Sequence, residues 1–302
     1  MSDRADSLKS IFYALGANLA IAIAKLAAAV ITGSGSMLAE SIHSLADTIN
    51  QGLLLLGIHH SKRPPTTEHP LGFGKSTYFW SFIVALMLFS TGGLFSIYEG
   101  FHKLHTTGPM NRPLIAIGVL IFALIAEGLS LSGCIREVNK ERSGRSFRVW
   151  FRETRQSELL VVFGEDLAAL LGLTFALFAV VLTMITGNPI YDALGSITIG
   201  LLLVVVAFFI GIEVKALLIG QGVEPQEKVK MLEFLNKQDT VARVFNIVTL
   251  QLGRDVMVAI KAEMHEQKSS KRLVEAINLC EEKFKERFPY VLWMFFEPDI
   301  MD

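Results

Sequence analysis

The chain has 302 residues, 51% of them apolar and 19% charged, with a formal net charge of −1. A soluble protein carries about 25% charged residues, and a charge this close to zero gives no electrostatic footing for nucleic acid. Composition therefore excludes an ordinary soluble domain and a nucleic-acid binder, and a mean hydropathy of +0.45 points to a chain built for lipid.

Six apolar stretches reach the roughly 20 residues needed to cross a bilayer. They run over 10–32, 37–58, 77–100, 113–135, 158–186 and 190–218. The fold class this predicts is an α-helical membrane protein with six transmembrane helices over 1–221, followed by a charged cytoplasmic domain over 222–302. Basic residues in the short connections set the orientation. One side holds Arg4, Lys9, Lys62, Arg63, Lys75, Arg136, Lys140, Arg142, Arg145, Arg148, Arg152 and Arg155; the other holds only Lys103 and Arg112. Both termini are therefore expected in the cytoplasm. The start, Met1 to Asp6, mixes acid and base and lacks a cleavable signal pattern, so span one reads as an internal anchor. With no targeting segment legible, the bacterial inner membrane is the default location.

Span one carries two polar residues, Asn18 and Lys25. Asn18 suits a bond between helices, and Lys25 must either pair with a carboxylate or snorkel. Span two carries the most informative row in the chain, Glu40, His43 and Asp47. At about 100° per residue these side chains fall within roughly 60° of one another, and Asn50 continues the face. One such residue in lipid can simply bond a neighbouring helix. A row of carboxylates and an imidazole in apolar surroundings reads instead as a functional site. Its mixed oxygen and nitrogen donors suit Zn²⁺, Co²⁺, Fe²⁺ or Mn²⁺ better than Ca²⁺ or Mg²⁺.

Further along, Gly72-Phe73-Gly74-Lys75 lacks the spacing of a phosphate loop, and no H-E-x-x-H occurs, so the chain carries no sign of an enzyme. Glu99 falls near the far end of span three. Glu127 lies inside span four, where a helix-packing role weighs as much as a functional one. Cys134 and Cys280 are expected on the reducing side, without a disulfide. Span five contains Glu165 and Asp166; adjacent residues point about 100° apart, so one should meet the row on span two and the other must pair elsewhere. Asp192 follows Asn188-Pro189 and reads as an interfacial cap. His59, His60, His102 and His105 lie at span ends and read as interface residues.

The tail predicts the order α-β-β-α-β. A helix opens at Glu224-Pro225, strands run over 244–252 and 256–264 around Gly253-Arg254-Asp255, an amphipathic helix covers 269–287, and a last strand covers 290–296. Leu273, Ile277, Cys280 and Phe284 form the apolar stripe of that helix. The order suits a small open sheet with helices on one face, a ferredoxin-like α+β domain.

Thr32-Gly33-Ser34-Gly35-Ser36-Met37-Leu38-Ala39-Glu40 leading into His43-x-x-x-Asp47, the loop Glu68-His69-Pro70-Leu71-Gly72-Phe73-Gly74-Lys75, and Asn188-Pro189-Ile190-Tyr191-Asp192 at the start of span six together resemble the cation diffusion facilitator family. The resemblance covers nearly the whole chain. It implies a homodimer in the lipid bilayer that exports a divalent metal, Zn²⁺ foremost, by proton antiport, with no cofactor. The family's site pairs an H/D-x-x-x-D motif on span two with another on span five. His43 and Asp47 match the first, and Asp166 matches the end of the second, whose opening position is the apolar Val162. Glu40, Glu165 or a water could supply the missing ligand. Phe73 stands where many relatives have a second loop histidine beside His69, and His265 is the tail's lone histidine. An exporter of Mn²⁺, Fe²⁺ or Co²⁺ on the same fold and a membrane metal-binding scaffold without transport are the alternatives.

Overall fold

The computed structural model describes residues 18–105 and 112–301. Arg4, Lys9 and the first part of span one lie outside the described residues. Helix α1 covers Asn18–Thr32, α2 Gly35–Ser61, α3 Ser76–His105, α4 Pro113–Arg142, α5 Phe147–Glu153, α6 Ser157–Thr186 and α7 Ile190–Ile219. Four of these, α3, α4, α6 and α7, are long and apolar enough to cross a membrane. They show large apolar side chains on their outer surfaces; Phe122, Phe178 and Phe208 are each at least 60% exposed. In water such surfaces would be a liability, while in lipid they cost nothing. Helix α2 has the length, at 27 residues, but its inward polar row lowers its hydropathy.

The helices pack through small residues. In lipid no hydrophobic force drives helices together, so close backbone approach does much of the work. Gly93 and Gly100 of α3 face Gly200 and Ala193 of α7: a Cβ on Gly200 would lie 2.7 Å from the Gly93 carbonyl oxygen and the Ile97 amide nitrogen. Residues Leu88–Leu94 of α3 form a π-helical segment, containing Gly92 and Gly93. Such segments concentrate at functional sites, and this one passes His43, whose Nδ1 lies 3.8 Å from where a Cβ on Gly92 would sit.

Two motifs far apart in sequence meet at the start of α2. Gly33 takes φ +68° in the turn after α1, a left-handed conformation that glycine adopts without strain, and the Lys103 ammonium donates to its carbonyl. The Asp192 carboxylate then accepts from Ser34 Oγ at 2.6 Å, Gly35 N at 2.6 Å, Ser36 N at 3.3 Å and Ser36 Oγ at 2.5 Å. Helix starts leave amide donors without partners and carry partial positive charge, so an acid there is stabilising. Asp192 is indeed a cap, but for α2 rather than for its own helix.

A second compact unit gathers 57–79, 147–157 and 214–302. It contains α8 (Pro225–Asn236), β1 (Val241–Leu252), β2 (Asp255–Met264), α9 (Ser270–Arg287) and β3 (Val291–Pro298). The sheet order is β1-β2-β3, with β1 and β2 antiparallel and β2 and β3 parallel. A parallel pair needs a crossover, and α9 supplies it. Met231, Leu235, Ile247, Val258, Ile260, Phe284 and Phe288 form the core. On α9 the buried stripe is Ala276, Cys280 and Phe284. Leu273, expected in it, is only half-buried, while Ala276 is buried in the stripe. The Arg-rich connection between α4 and α6 folds in part as α5, with Trp150 buried.

Within this unit the loop before α3 docks on the β1–β2 turn. Gly253 has φ +70° there, its amide donates to Tyr78 Oη at 3.1 Å, and Gly74 sits so close that a Cβ on it would come within 2.6 Å of the Leu252 carbonyl carbon. Gly74→Ala is therefore expected to cost about 1–3 kcal/mol by forcing backbone apart, read as a lower melting temperature of the purified full-length protein.

Candidate functional site

Helix α2 presents its polar row to α1, α3 and α6. His43 is fully buried and its Nδ1 lies 3.3 Å from Asp47 Oδ1, one turn on. The approach is not aligned as a hydrogen bond: among the described residues, both ring nitrogens of His43, Oδ1 of Asp47, Oδ1 of Asn50 and Oε1 of Glu40 are buried without a hydrogen-bond partner. Buried polar atoms are ordinarily satisfied. Five orphans along one helix face, two of them imidazole nitrogens and two carboxylate oxygens, form a donor set suited to a borderline divalent cation.

Helix α6 brings the second half. Asn50 Nδ2 donates to Glu165 Oε1 at 2.7 Å, and Ser130 Oγ of α4 donates to Asp166 Oδ2 at 3.2 Å. The two adjacent acids thus diverge as the helical period requires, Glu165 toward α2 and Asp166 toward α4. A cleft is lined by Asn18, Ser44, Asp47, Gln51, Glu127, Val162, Glu165 and Asp166.

The structure therefore brings Asp47, Glu165 and Asp166 to one cleft, and adds Glu127 to them. His43 adjoins Asp47 behind that lining. Glu40 turns elsewhere: its Oε2 is 3.5 Å from Lys25 Nζ, which also donates to Ser44 Oγ at 2.5 Å, and a Cβ on Gly172 would meet its Oε1 at 2.5 Å. Lys25 pairs with a carboxylate rather than snorkelling. Asn18 bonds between helices, donating to Gln51 Oε1 at 3.0 Å. Val162 lines the cleft as an apolar wall. Among the described residues, no three His, Cys, Asp or Glu side chains converge closely enough to hold a metal as placed. The site consists of two half-sets, on α2 and on α6, bridged by the Asn50–Glu165 bond.

Ser44 and Ser130 were not legible as site residues. Spacing could have found both: Ser44 is four residues after Glu40 and Ser130 three after Glu127, each on the same helix face as its acid. Outside the cleft, His69 is exposed with its ring 4.5 Å from that of Phe73. His265 follows β2 near Asp299.

A family model described as the cation efflux transmembrane domain matches residues 11–219. The chain is similar to a proton-coupled zinc antiporter, SLC30A9, mitochondrial, of Xenopus laevis, with 38% identity over 242 residues, covering 80% of this chain and 43% of that protein. It is 32% identical to metal tolerance protein C4 of Arabidopsis thaliana over 249 residues, covering 82% of this chain and 54% of that protein. It is 25% identical to the cation-efflux pump FieF of Salmonella arizonae over 271 residues, covering 90% of this chain and 85% of that protein. The chain thus spans less than half of the frog protein and about half of the plant one.

Proposed function

The chain belongs to the cation efflux family, and on that premise we propose that it exports a divalent metal, zinc foremost, in exchange for protons. The observation that carries this reading is the cleft in which Asp47, Glu165 and Asp166 lie together, with the unpartnered ring nitrogens of His43 beside Asp47. His43, Asp47, Asp166 and Glu165 are the proposed ligands, with Glu40 held back by Lys25. The names of the frog and Arabidopsis relatives, a zinc antiporter and a metal tolerance protein, support the same cargo class.

The mechanism follows from ligand chemistry. Metal binds neutral imidazole and ionised carboxylates, so metal arriving from the cytoplasm displaces protons. On the far side protons return to the same groups and metal leaves. One site then serves both ions, and a rocking of the helices around it alternates access. Six spans over 1–221, cytoplasmic termini, a cytoplasmic domain over 222–302 that dimerises, and a proton-gradient-bearing membrane belong to this reading. That membrane is the bacterial inner membrane by default, while the frog relative is named as mitochondrial.

A second reading keeps the transport and changes the cargo to Mn²⁺ or Fe²⁺. It is favoured by the four carboxylates of the cleft, Glu127 included, and by the apolar Val162 where a nitrogen ligand would stand. Reconstituted vesicles separate the readings: a zinc gradient should drive an opposite pH change, with Mn²⁺ and Fe²⁺ competing weakly. Metal bound without flux would instead leave a membrane scaffold. Val162→His, which puts an imidazole on the cleft wall one turn before Asp166, should tighten zinc on the order of tenfold and widen its margin over Mn²⁺, measured by competition in the same vesicles.

A further inference from the structure

Lys25 and Glu40 are both fully buried. They meet where α1 and α2 are lined with alanine: Ala22, Ala28 and Ala29 on one side, Ala39 and Ala46 on the other are all buried. A buried charge in such surroundings is costly unless it is paired. Among the described residues Lys25 has two partners, Glu40 and Ser44. Glu40 Oε2 is 3.5 Å from Nζ, and Ser44 Oγ, 2.5 Å from Nζ, belongs to a side chain that lines the same cleft as Asp47. The ammonium therefore holds Glu40 and, through Ser44, one side chain of the cleft wall.

Glu40 is otherwise equipped to bind. It shares the helix face of His43 and Asp47, and its Oε1 is buried with no hydrogen-bond partner among the described residues. A dication at Asp47 would share its cleft with Ser44, to which the Lys25 ammonium donates. We propose that Lys25 sets metal selectivity through Glu40: by holding this carboxylate it withholds a hard oxygen from the cargo and tilts the site toward metals that favour the His43 nitrogen. Lys25 is a positioning residue, since it acts through Glu40 and touches no metal. The inference rests on metal exchange at His43, Asp47, Glu165 and Asp166.

Without Lys25, Glu40 is an uncompensated carboxylate one turn from His43, free to join the ligands. An added carboxylate oxygen favours Mn²⁺ relative to Zn²⁺. The competing view is that the pair only pins α1 to α2, in which case its loss weakens folding and slows every metal alike.

The test compares Zn²⁺ and Mn²⁺ flux through the full-length protein in vesicles. Lys25→Gln should raise Mn²⁺ relative to Zn²⁺ about tenfold, the scale on which partners of metal ligands act. Lys25→Arg should keep the wild-type preference, and so should the neutral pair Lys25→Gln with Glu40→Gln, because the withheld oxygen is then gone. Proportional loss of both metals in Lys25→Gln overturns the proposal, as does a shifted preference that persists in the neutral pair. Should Lys25→Gln alone fail to elute as a folded species, Lys25→Met, which keeps the length without the charge, decides on the same ratio: Mn²⁺ raised relative to Zn²⁺ supports the proposal, and an unchanged ratio overturns it. A wild-type protein that moves neither metal sinks the exchange reading instead. Calorimetric titration of detergent-purified variants with Zn²⁺ and with Mn²⁺ then still reads the selectivity shift.

Discussion

With Asp47 replaced by alanine, metal-driven proton exchange is expected to fall by more than about 100-fold, since losing even an outer partner of a metal ligand costs 10–100-fold. Asp47 is the acid of the α2 half-set that lines the cleft. It neighbours His43 at 3.3 Å and lines the cleft with Glu165 and Asp166. Its Oδ1 has no hydrogen-bond partner, so its removal leaves no other protein group stranded and the fold should survive. Asp47→Asn is the sharper variant. It keeps the shape and removes the charge and the exchangeable proton, and it should be nearly as inactive. Vesicles loaded with a pH dye and given a zinc gradient read both variants. Wild-type exchange in Asp47→Asn would remove this carboxylate from the transport step.

The second large effect comes from a residue with no side chain. Gly200→Val should lower the melting temperature of the purified protein by roughly 5–10 °C, from an overpacking cost of a few kcal/mol spread over a chain of this size. A Cβ at this position meets the main chain of α3, at the Gly93 oxygen and the Ile97 nitrogen, both 2.7 Å away. Backbone cannot rotate aside as a side chain can. Relief would require α3 and α7 to part along the π-helical stretch that passes His43, so zinc binding should weaken as well. Gly211→Val, on the same helix with nothing within 4 Å of its Cβ, is the matched control and should melt as the wild type does. Equal losses in both variants would mean that helix propensity, rather than the α3–α7 contact, sets the cost.

These residues also show what the sequence could and could not tell. Helices α3, α4, α6 and α7 were legible because an apolar run of such length with so few charges suits little besides a bilayer crossing. The row on α2 was legible because its spacing repeats the helical period. The divergence of Glu165 and Asp166 followed from the same period, but their partners did not: Asn50 and Ser130 come from different helices, and no local pattern orders helices in space. Glu40 is the clearest case. Its spacing made it a candidate ligand, while its placement depends on Lys25, fifteen residues earlier on another helix. Asp192 read as a cap from its position after Asn188-Pro189, yet the helix it caps lies more than 150 residues away. In the tail, alternation and turn residues located the strands to within a few residues. The burial of Ala276 in place of Leu273 on α9 depends on how helix meets sheet and has no signature in a single helix.

The bond from Asp192 to the start of α2 also bears on how the molecule is made. Ser34, Gly35 and Ser36 leave the ribosome 156 to 158 residues before the acid that satisfies them. At about 5–20 residues per second of synthesis, α2 waits roughly 10–30 s with the Gly35 and Ser36 amides lacking Asp192, capped only by the local bond from Met37 N to Ser34 Oγ. During that interval α1 and α2 can sit in the insertion machinery as a loose pair, their polar row already made and the start of α2 unanchored. Arrival of α7 closes the bundle from its far end, so the last long helix to be synthesised fixes the second. Truncation before Asp192 should accordingly leave α2 open to proteolysis near Gly35, whatever metal is supplied.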